Sequence, residues 1–299
     1  MKKVLVIAGP TASGKTAFAI HMAHQLKAEI ISGDSIQVYR GCDIGSGKVT
    51  AEEREGIPHA LIDILSPKDR YTSADFQRMA REKIDASDAL QIICGGTGMY
   101  LKACLYDYSF AKEEGPSTDP KWDSCSDEEL YAMLMKVDPK QCEKIHPHNR
   151  RRIMRSLTIY ERNGRPQSEI VAHQDHKMIY DAFIAGCTME REQLYARIDQ
   201  RVDKMFAQGL ENEIQRLLKS GVNFTDACMQ GIGYQEWKPY IKGGCASDQV
   251  KEQIKIHSHQ FAKRQYTWFN HQMPVHWFNS LEPEDVQRMS SEIKIWSQK

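Results

Sequence analysis

Val4-Leu5-Val6-Ile7-Ala8-Gly9-Pro10-Thr11-Ala12-Ser13-Gly14-Lys15-Thr16 is the stretch on which the fold turns. Residues 4–8 are a short continuous apolar run, the pattern of a strand buried on both faces of a parallel sheet. Residues 9–16 fit G-x-x-x-x-G-K-[ST], a phosphate loop that should follow such a strand and open a helix. The glycines let backbone N–H groups turn inward around a phosphate, and the positive end of a helix beginning near Gly14 adds to the attraction. Lys15 supplies a mobile charge, and the Thr16 hydroxyl can ligate Mg²⁺. By average residue usage such an octapeptide arises by chance in about one chain in a hundred of this length. The strand before it and the helix after it therefore carry the assignment. Gly9, Pro10, Thr11, Ala12, Ser13, Gly14, Lys15 and Thr16 are the expected diphosphate- or triphosphate-binding residues, as in an ATP site. They do not say what is transferred.

Outward from this loop, residues 16–26 have helical spacing, with Phe18, Ile20, Met22 and Leu26 apolar. Further strands are expected at 29–32, 60–65 and 89–94, and a helix at 72–84 with Phe76, Met79 and Ile84 facing inward. Strands alternating with helices indicate βαβ units, so the fold class is α/β, a P-loop NTPase-like core with a parallel sheet. After Phe110 the character changes. Residues 112–123 are polar and contain Gly115-Pro116 and Asp119-Pro120, which predicts a linker. Helices are expected at 127–137 and 150–162, and a returning strand at 177–187. One long amphipathic helix is expected at 190–220, with Leu194, Ile198, Val202, Met205, Leu210, Ile214 and Leu217 on its apolar face, and another helix at 247–270. The expected organisation is a core of 1–111 and 187–299 interrupted by a mostly helical insertion domain, 112–186.

Composition bounds the function. The 299 residues carry 40 Lys+Arg against 40 Asp+Glu, with 41% hydrophobic and 27% charged residues, which excludes a disordered or fibrous chain. A net charge of zero argues against binding nucleic acid by bulk positive charge, although a local basic stripe stays compatible with it. The eight cysteines include no CxxC pair, so a zinc ribbon is not expected, and reduced, mostly buried thiols are. The apolar run after Met1-Lys2-Lys3 is too short for a signal peptide, and no run approaches the ~18 apolar residues of a membrane helix. A cytoplasmic protein with no membrane partner is expected.

The chemistry needs a second element. A phosphate-loop kinase usually carries an acid at the end of a later apolar strand. Here Gln91-Ile92-Ile93-Cys94 runs instead into Gly95-Gly96-Thr97-Gly98-Met99-Tyr100. After the second strand comes Ser32-Gly33-Asp34-Ser35-Ile36-Gln37-Val38-Tyr39. Both segments should fall at the carboxyl ends of strands, where open α/β sheets bind ligands, so Asp34 is expected to face the phosphate loop.

With these residues in place, the sequence resembles the tRNA dimethylallyltransferases (tRNA isopentenyltransferases, the IPP transferase family). The resemblance is carried in order by residues 9–16, 32–45, Pro58-His59-Ala60-Leu61-Ile62-Asp63, Ala74-Asp75-Phe76 and 95–100. It continues through His146-Pro147, Arg151-Arg152-Ile153-Met154-Arg155, Gly231-Ile232-Gly233-Tyr234 and Ala262-Lys263-Arg264-Gln265-Tyr266-Thr267-Trp268, about nine tenths of the chain. The sequence ends without the Cys/His-bearing zinc extension of eukaryotic relatives, so the bacterial form is expected.

The resemblance implies transfer of a dimethylallyl group from dimethylallyl diphosphate to N6 of the adenosine at position 37 of tRNA, with Mg²⁺ as cofactor. The anticodon stem-loop is the implied partner, and a monomer is expected. Asp34 matches the general base. Thr97 matches the position that hydrogen-bonds the bridging oxygen or orients the amine. Asp34, Ser35, Ile36, Gln37, Arg151, Arg152, Ile153, Met154, Arg155, Lys263 and Arg264 are the implied tRNA contacts. Two positions depart from the family pattern. Gln235 stands where Lys or Arg is frequent, with Lys238 the nearest cation, and Asn270 stands where Arg is common.

Three rival readings have their own discriminators. A small-molecule kinase predicts ATP turnover and a lid of arginines, which residues 150–155 could imitate, but the acid at the strand end is missing. An isopentenyltransferase acting on free AMP, ADP or ATP needs neither the helical insert nor the basic cluster. A non-catalytic RNA-binding module would not need Lys15, Thr16, Asp34 and Thr97 together.

Overall fold

The computed structural model describes residues 1–110, 118–172 and 176–299. The first strand, β1 (Lys3–Ala8), leads through the phosphate loop into α1 (Lys15–Leu26) and β2 (Glu29–Ser32). Next come β3 (His59–Ala60), α2 (Ser73–Ala86), β4 (Gln91–Cys94) and α3 (Gly98–Leu105). Four helices follow, α4 (Asp127–Val137), α5 (Pro139–Cys142), α6 (Arg150–Asn163) and α7 (Gln167–Ala172). The chain then runs through β5 (Asp181–Thr188), α8 (Arg191–Ala207), α9 (Leu210–Lys219), α10 (Trp237–Ile241), α11 (Ser247–Gln272), β6 (His276–Asn279) and α12 (Pro283–Gln298).

Among the described residues six strands join one parallel sheet in the order β3-β2-β4-β1-β5-β6. β1 lies inside it, with Val4 opposite both Gln91 and Ala182. Val4 to Ala8 have no exposure at all, as a strand covered on both faces requires. Leu5 and Ile7 pack with Phe18 and Met22 of α1 and with Met289 and Ile293 of α12. The start of α2 is set by a capping box: Thr72 Oγ1 accepts from the Asp75 N–H, and the Asp75 carboxylate accepts from the Thr72 N–H.

Two expected elements take another form. Of the expected 60–65 strand only Ala60, with His59 before it, pairs with β2, because Leu61 (φ 61°) and Asp63 (φ 56°) adopt left-handed backbone that a ladder cannot contain. Asp63 is held there by Lys48 Nζ at 2.5 Å, and Lys48 also grips Asp43 and the Tyr39 carbonyl. The long helix of 190–220 is two helices. The step from Met205 to Leu210 is five residues, out of helical phase, and Gly209 (φ 89°) turns the chain within it. α3, β6 and α12 were not anticipated as elements.

The chain divides into one unit of Met1–Leu105 and Met178–Lys299 and a second of Tyr106–Lys177. The returning strand begins at Asp181, so residues 178–186, expected in the insert, belong to the sheet-bearing unit. The Ile179 N–H donates to the Leu105 carbonyl and the Asp181 N–H to that of Lys2. The second unit has its own small core of Leu130, Leu134, Cys142, Ile145, Ile153, Met154 and Leu157. Its α4 starts at a Ser126–Glu129 capping box, and α6 ends at Gly164. The Gly115-Pro116 linker read from the sequence lies outside the described residues, whereas Asp119 caps a short turn of helix at Pro120–Ser124. All eight cysteines are free thiols. Among the described residues no helix is long and apolar enough to cross a membrane.

Candidate active site

Because every strand is parallel, the segments leaving β1, β2 and β4 emerge at one edge of the sheet. That edge collects the residues singled out in the sequence. Thr11, Lys15 and Thr16 after β1, Asp34 to Gln37 after β2, and Gly95 to Thr97 after β4 line one cavity of about 430 Å³. The loops are tied at their bases: the Gly33 N–H donates to the Cys94 carbonyl (2.8 Å), and the Gly95 N–H to that of Ile7 (3.1 Å).

In the phosphate loop, Gly9 (φ 138°) and Gly14 (φ 84°) hold the positive dihedrals that curl the backbone, and α1 begins at Lys15. The loop is also fixed from outside, since Ser280 Oγ donates to the Ser13 carbonyl at 2.7 Å. Ser13 Oγ is buried with no protein partner, an orphan hydroxyl that a phosphate oxygen would satisfy. Lys15 Nζ donates to the Pro10 carbonyl at 2.5 Å. Burial lowers the Lys15 pKa, and the negative charge of Asp34 is among the opposing influences. Burial also pushes Cys94 up to about 11, so this neighbouring thiol stays protonated and is no nucleophile.

Asp34 Oδ1 accepts from the backbone N–H groups of Ile36 (2.8 Å) and Gln37 (3.2 Å), a turn that fixes the carboxylate. Thr97 sits just before α3, its carbonyl accepting from Tyr100 and Leu101. Gly98 opens that helix with no room for a side chain, because a Cβ there would lie 2.1 Å from the Trp268 ring. Trp268 is therefore packing behind the loop.

Three site-shaping residues were given no role from the sequence, although Gln265 stands in the 262–268 motif. Arg201 of α8 lines the cavity and donates to the Ser46 carbonyl at 3.1 Å. Burial lowers its pKa, and the Asp34 charge counters that. Glu213 of α9 is 1% exposed and accepts from three successive N–H groups, Asp43 (3.0 Å), Ile44 (2.7 Å) and Gly45 (3.1 Å). The Tyr234 hydroxyl also donates to Glu213 (2.8 Å) and accepts from the Ser46 N–H (3.1 Å). This network shapes the 45–47 wall of the cavity. Gln265 of α11 reaches both the phosphate loop and Gly96. The available signal was the same in each case: a polar residue at a core phase of an amphipathic helix, beside Ile198 and Val202, between Leu210 and Ile214, and between Ala262 and Phe269.

The implied RNA contacts separate by burial. Ser35, Ile36 and Gln37 are half-buried and line the cavity, and Arg264 lines it while exposed, as Lys263 beside it is. In the second unit Arg151 and Arg152 are exposed and Arg155 is half-buried. Ile153 and Met154 are corrected: at 0% and 6% exposure they fill that unit's core and present no side chain to an RNA. Arg150 of the same basic run is taken up by Asp127 and by the carbonyls of Cys125, Trp122 and Asp123. Gln235 lines the cavity and donates to Glu236 (3.3 Å). Asn270 accepts from the Trp277 indole (2.8 Å), and Lys238 is exposed away from the lining.

For a divalent cation the donors are few. Among the described residues no group of three or more His, Cys, Asp or Glu side chains could hold a metal. The Thr16 hydroxyl and the Asp34 carboxylate on the cavity wall suit a hard ion such as Mg²⁺ only where a diphosphate and water complete its shell.

Residues of the 9–16 loop, a fixed aspartate and a threonine meet at the carboxyl edge of a parallel sheet, in an α/β fold of the P-loop-like kind. The model of the family described as IPP transferase matches residues 37–272. The chain belongs to that family. The tRNA dimethylallyltransferase of Anoxybacillus flavithermus is 45% identical over 298 residues, 98% of this chain and 95% of the relative. Among solved structures, the tRNA delta(2)-isopentenylpyrophosphate transferase of Staphylococcus epidermidis is 39% identical with a TM-score of 0.73, covering 100% of this chain and 99% of the other. A eukaryotic dimethylallyltransferase acting on tRNA is 28% identical with a TM-score of 0.83, covering 98% of this chain and 78% of the other.

Proposed function

We infer that the protein is a tRNA prenyltransferase that moves a dimethylallyl group from dimethylallyl diphosphate to N6 of adenosine 37, just 3′ of the anticodon. The products are N6-dimethylallyladenosine and diphosphate. The observation that carries this reading is the meeting of Lys15, Asp34 and Thr97 around one cavity, joined to a full-length likeness to enzymes named for this reaction.

The exocyclic amine is a poor nucleophile because its lone pair is delocalised into the ring. It must be aligned with the allylic carbon and relieved of a proton as the bond forms. The N6–C1 bond forms while the C1–O bond to the diphosphate breaks, the electron pair leaving with the diphosphate. The N6 proton passes to the Asp34 carboxylate, whose Oδ1 is anchored by the 36 and 37 amides and whose Oδ2 is the oxygen that takes it. Ser13, Lys15 and Thr16 hold the leaving group, with Arg201 behind them, and Thr97 orients the bridging oxygen or the amine. Mg²⁺, when bound through Thr16 and the diphosphate, supplies further charge neutralisation. No covalent enzyme intermediate is needed.

A base in a folded loop has to be flipped out to reach such a cavity. Ser35, Ile36, Gln37 and Arg264 would receive it, and exposed Arg151, Arg152 and Lys263 suit contact with the RNA backbone. Asp34→Asn keeps the turn but removes the base, and the transfer rate is expected to fall by about 10²–10⁴-fold. Nuclease digestion and mass spectrometry of the product tRNA locate the modified nucleoside. Wild-type turnover by Asp34→Asn, or label away from position 37, would contradict the assignment.

A further inference from the structure

We propose that Gln265 is a positioning residue that fixes the spacing between the diphosphate-holding loop and the Thr97 loop, through an uncharged amide used at both ends. This rests on the reading of the cavity as the prenyl-transfer site. Gln265 is 6% exposed and projects from α11, which belongs to neither loop. Its Oε1 accepts from the Thr11 N–H at 3.0 Å, and its Nε2 donates to the Gly96 carbonyl at 2.9 Å. One side chain thus spans from the loop that carries Lys15 to the residue preceding Thr97.

The consequence for Thr97 follows from peptide geometry. The C=O and N–H of a trans peptide point in opposite directions, so anchoring the Gly96 carbonyl also sets the Thr97 N–H and the start of its side chain. The fit leaves no slack on the Gly96 side, where a Cβ would lie 2.2 Å from Nε2. The helix that carries the amide is itself held. Tyr266 and Thr188 share a hydroxyl–hydroxyl bond of 2.6 Å to the end of β5, and Trp268 packs against Gly98. The strands tie the loops at their bases, and Gln265 ties them again beyond those bases, beside the cavity. Transfer demands an in-line approach in which a shift of about 1 Å costs about 100-fold in rate, so this tie acts on the rate of the chemical step more than on binding.

The test compares wild type with Gln265→Glu and Gln265→Met. The first preserves shape and the Thr11 contact but presents a carboxylate to the Gly96 carbonyl. The second removes both bonds at similar volume. Single-turnover transfer to unmodified tRNA is measured together with the Kd of dimethylallyl diphosphate, the Kd of tRNA, the thermal midpoint and the hydrogen exchange of the Thr11 amide. The expected result is a rate reduced by about 100-fold in both variants with each Kd within about threefold of wild type. The thermal midpoint falls in both variants but stays well above the assay temperature, and Thr11 exchange is faster in Gln265→Met. An equally fast variant, or a loss confined to Kd or tracking a collapsed midpoint, would overturn the inference. A wild type that prenylates no tRNA would overturn the function reading and this inference together, whereas an active wild type with an equally active variant overturns the clamp alone.

Discussion

Lys15 sits where the surroundings disfavour its positive charge. Burial lowers the ammonium pKa, while the carboxylate of Asp34 pulls the other way. A lowered pKa means that the positive charge is lost earlier as pH rises than on an exposed lysine. Affinity for inorganic diphosphate is therefore expected to weaken on the alkaline side before the ordinary lysine range is reached. Lys15→Met should lose about 2 kcal/mol of that affinity and abolish the alkaline limb. Calorimetric titration through the alkaline range measures both, and a variant that keeps the limb would assign it to another group. At this scale the sequence was most informative where chemistry is local. The Gly9–Thr16 motif and the aspartate and threonine after apolar strands are short-range patterns. The roles of Arg201 and of Gln265, a member of the 262–268 motif, were not legible, because each reaches the site from a helix more than 150 residues away in sequence.

Among the elements, the segment from Asp43 to Gly47 depends most on a single distant side chain. Its N–H groups at 43, 44 and 45 converge on the buried Glu213 carboxylate of α9, and Arg201 of α8 holds the Ser46 carbonyl. Removing the carboxylate leaves these donors and the Tyr234 hydroxyl unpaired inside the protein. Glu213→Ala is expected to lower stability by about 3 kcal/mol, with Glu213→Gln, which keeps one acceptor oxygen, falling between it and wild type. Urea unfolding checks the order, and equal stabilities would mean that water satisfies these amides. The strand and helix pattern was readable from periodicity wherever burial is two-sided or amphipathic, as in β1 and α11. It failed at the edge of the sheet, where β3 has only β2 beside it and Lys48 turns the chain away. It also failed at Gly209, where apolar residues resume out of helical phase after a change of direction.

For the whole molecule, charge balance and function are reconciled by location. A chain with 40 basic and 40 acidic residues carries exposed Arg151, Arg152 and Lys263 while Arg150 is absorbed internally. Recognition of one folded loop by shape, with few phosphate contacts, should give a shallow dependence of tRNA affinity on salt. Arg151→Ala with Arg152→Ala is expected to weaken tRNA binding, to reduce the slope of log K against log salt by about 2, and to leave diphosphate affinity unchanged. Filter binding across a salt series measures it, and a steep wild-type slope would mean many more phosphate contacts than these. Prenyl donor and acceptor are read out together by incubating the protein with labelled dimethylallyl diphosphate, unmodified tRNA and free adenine nucleotides in the same tube. Label is expected in tRNA and not in the nucleotides, and label entering the nucleotides alone would rule out tRNA as the acceptor.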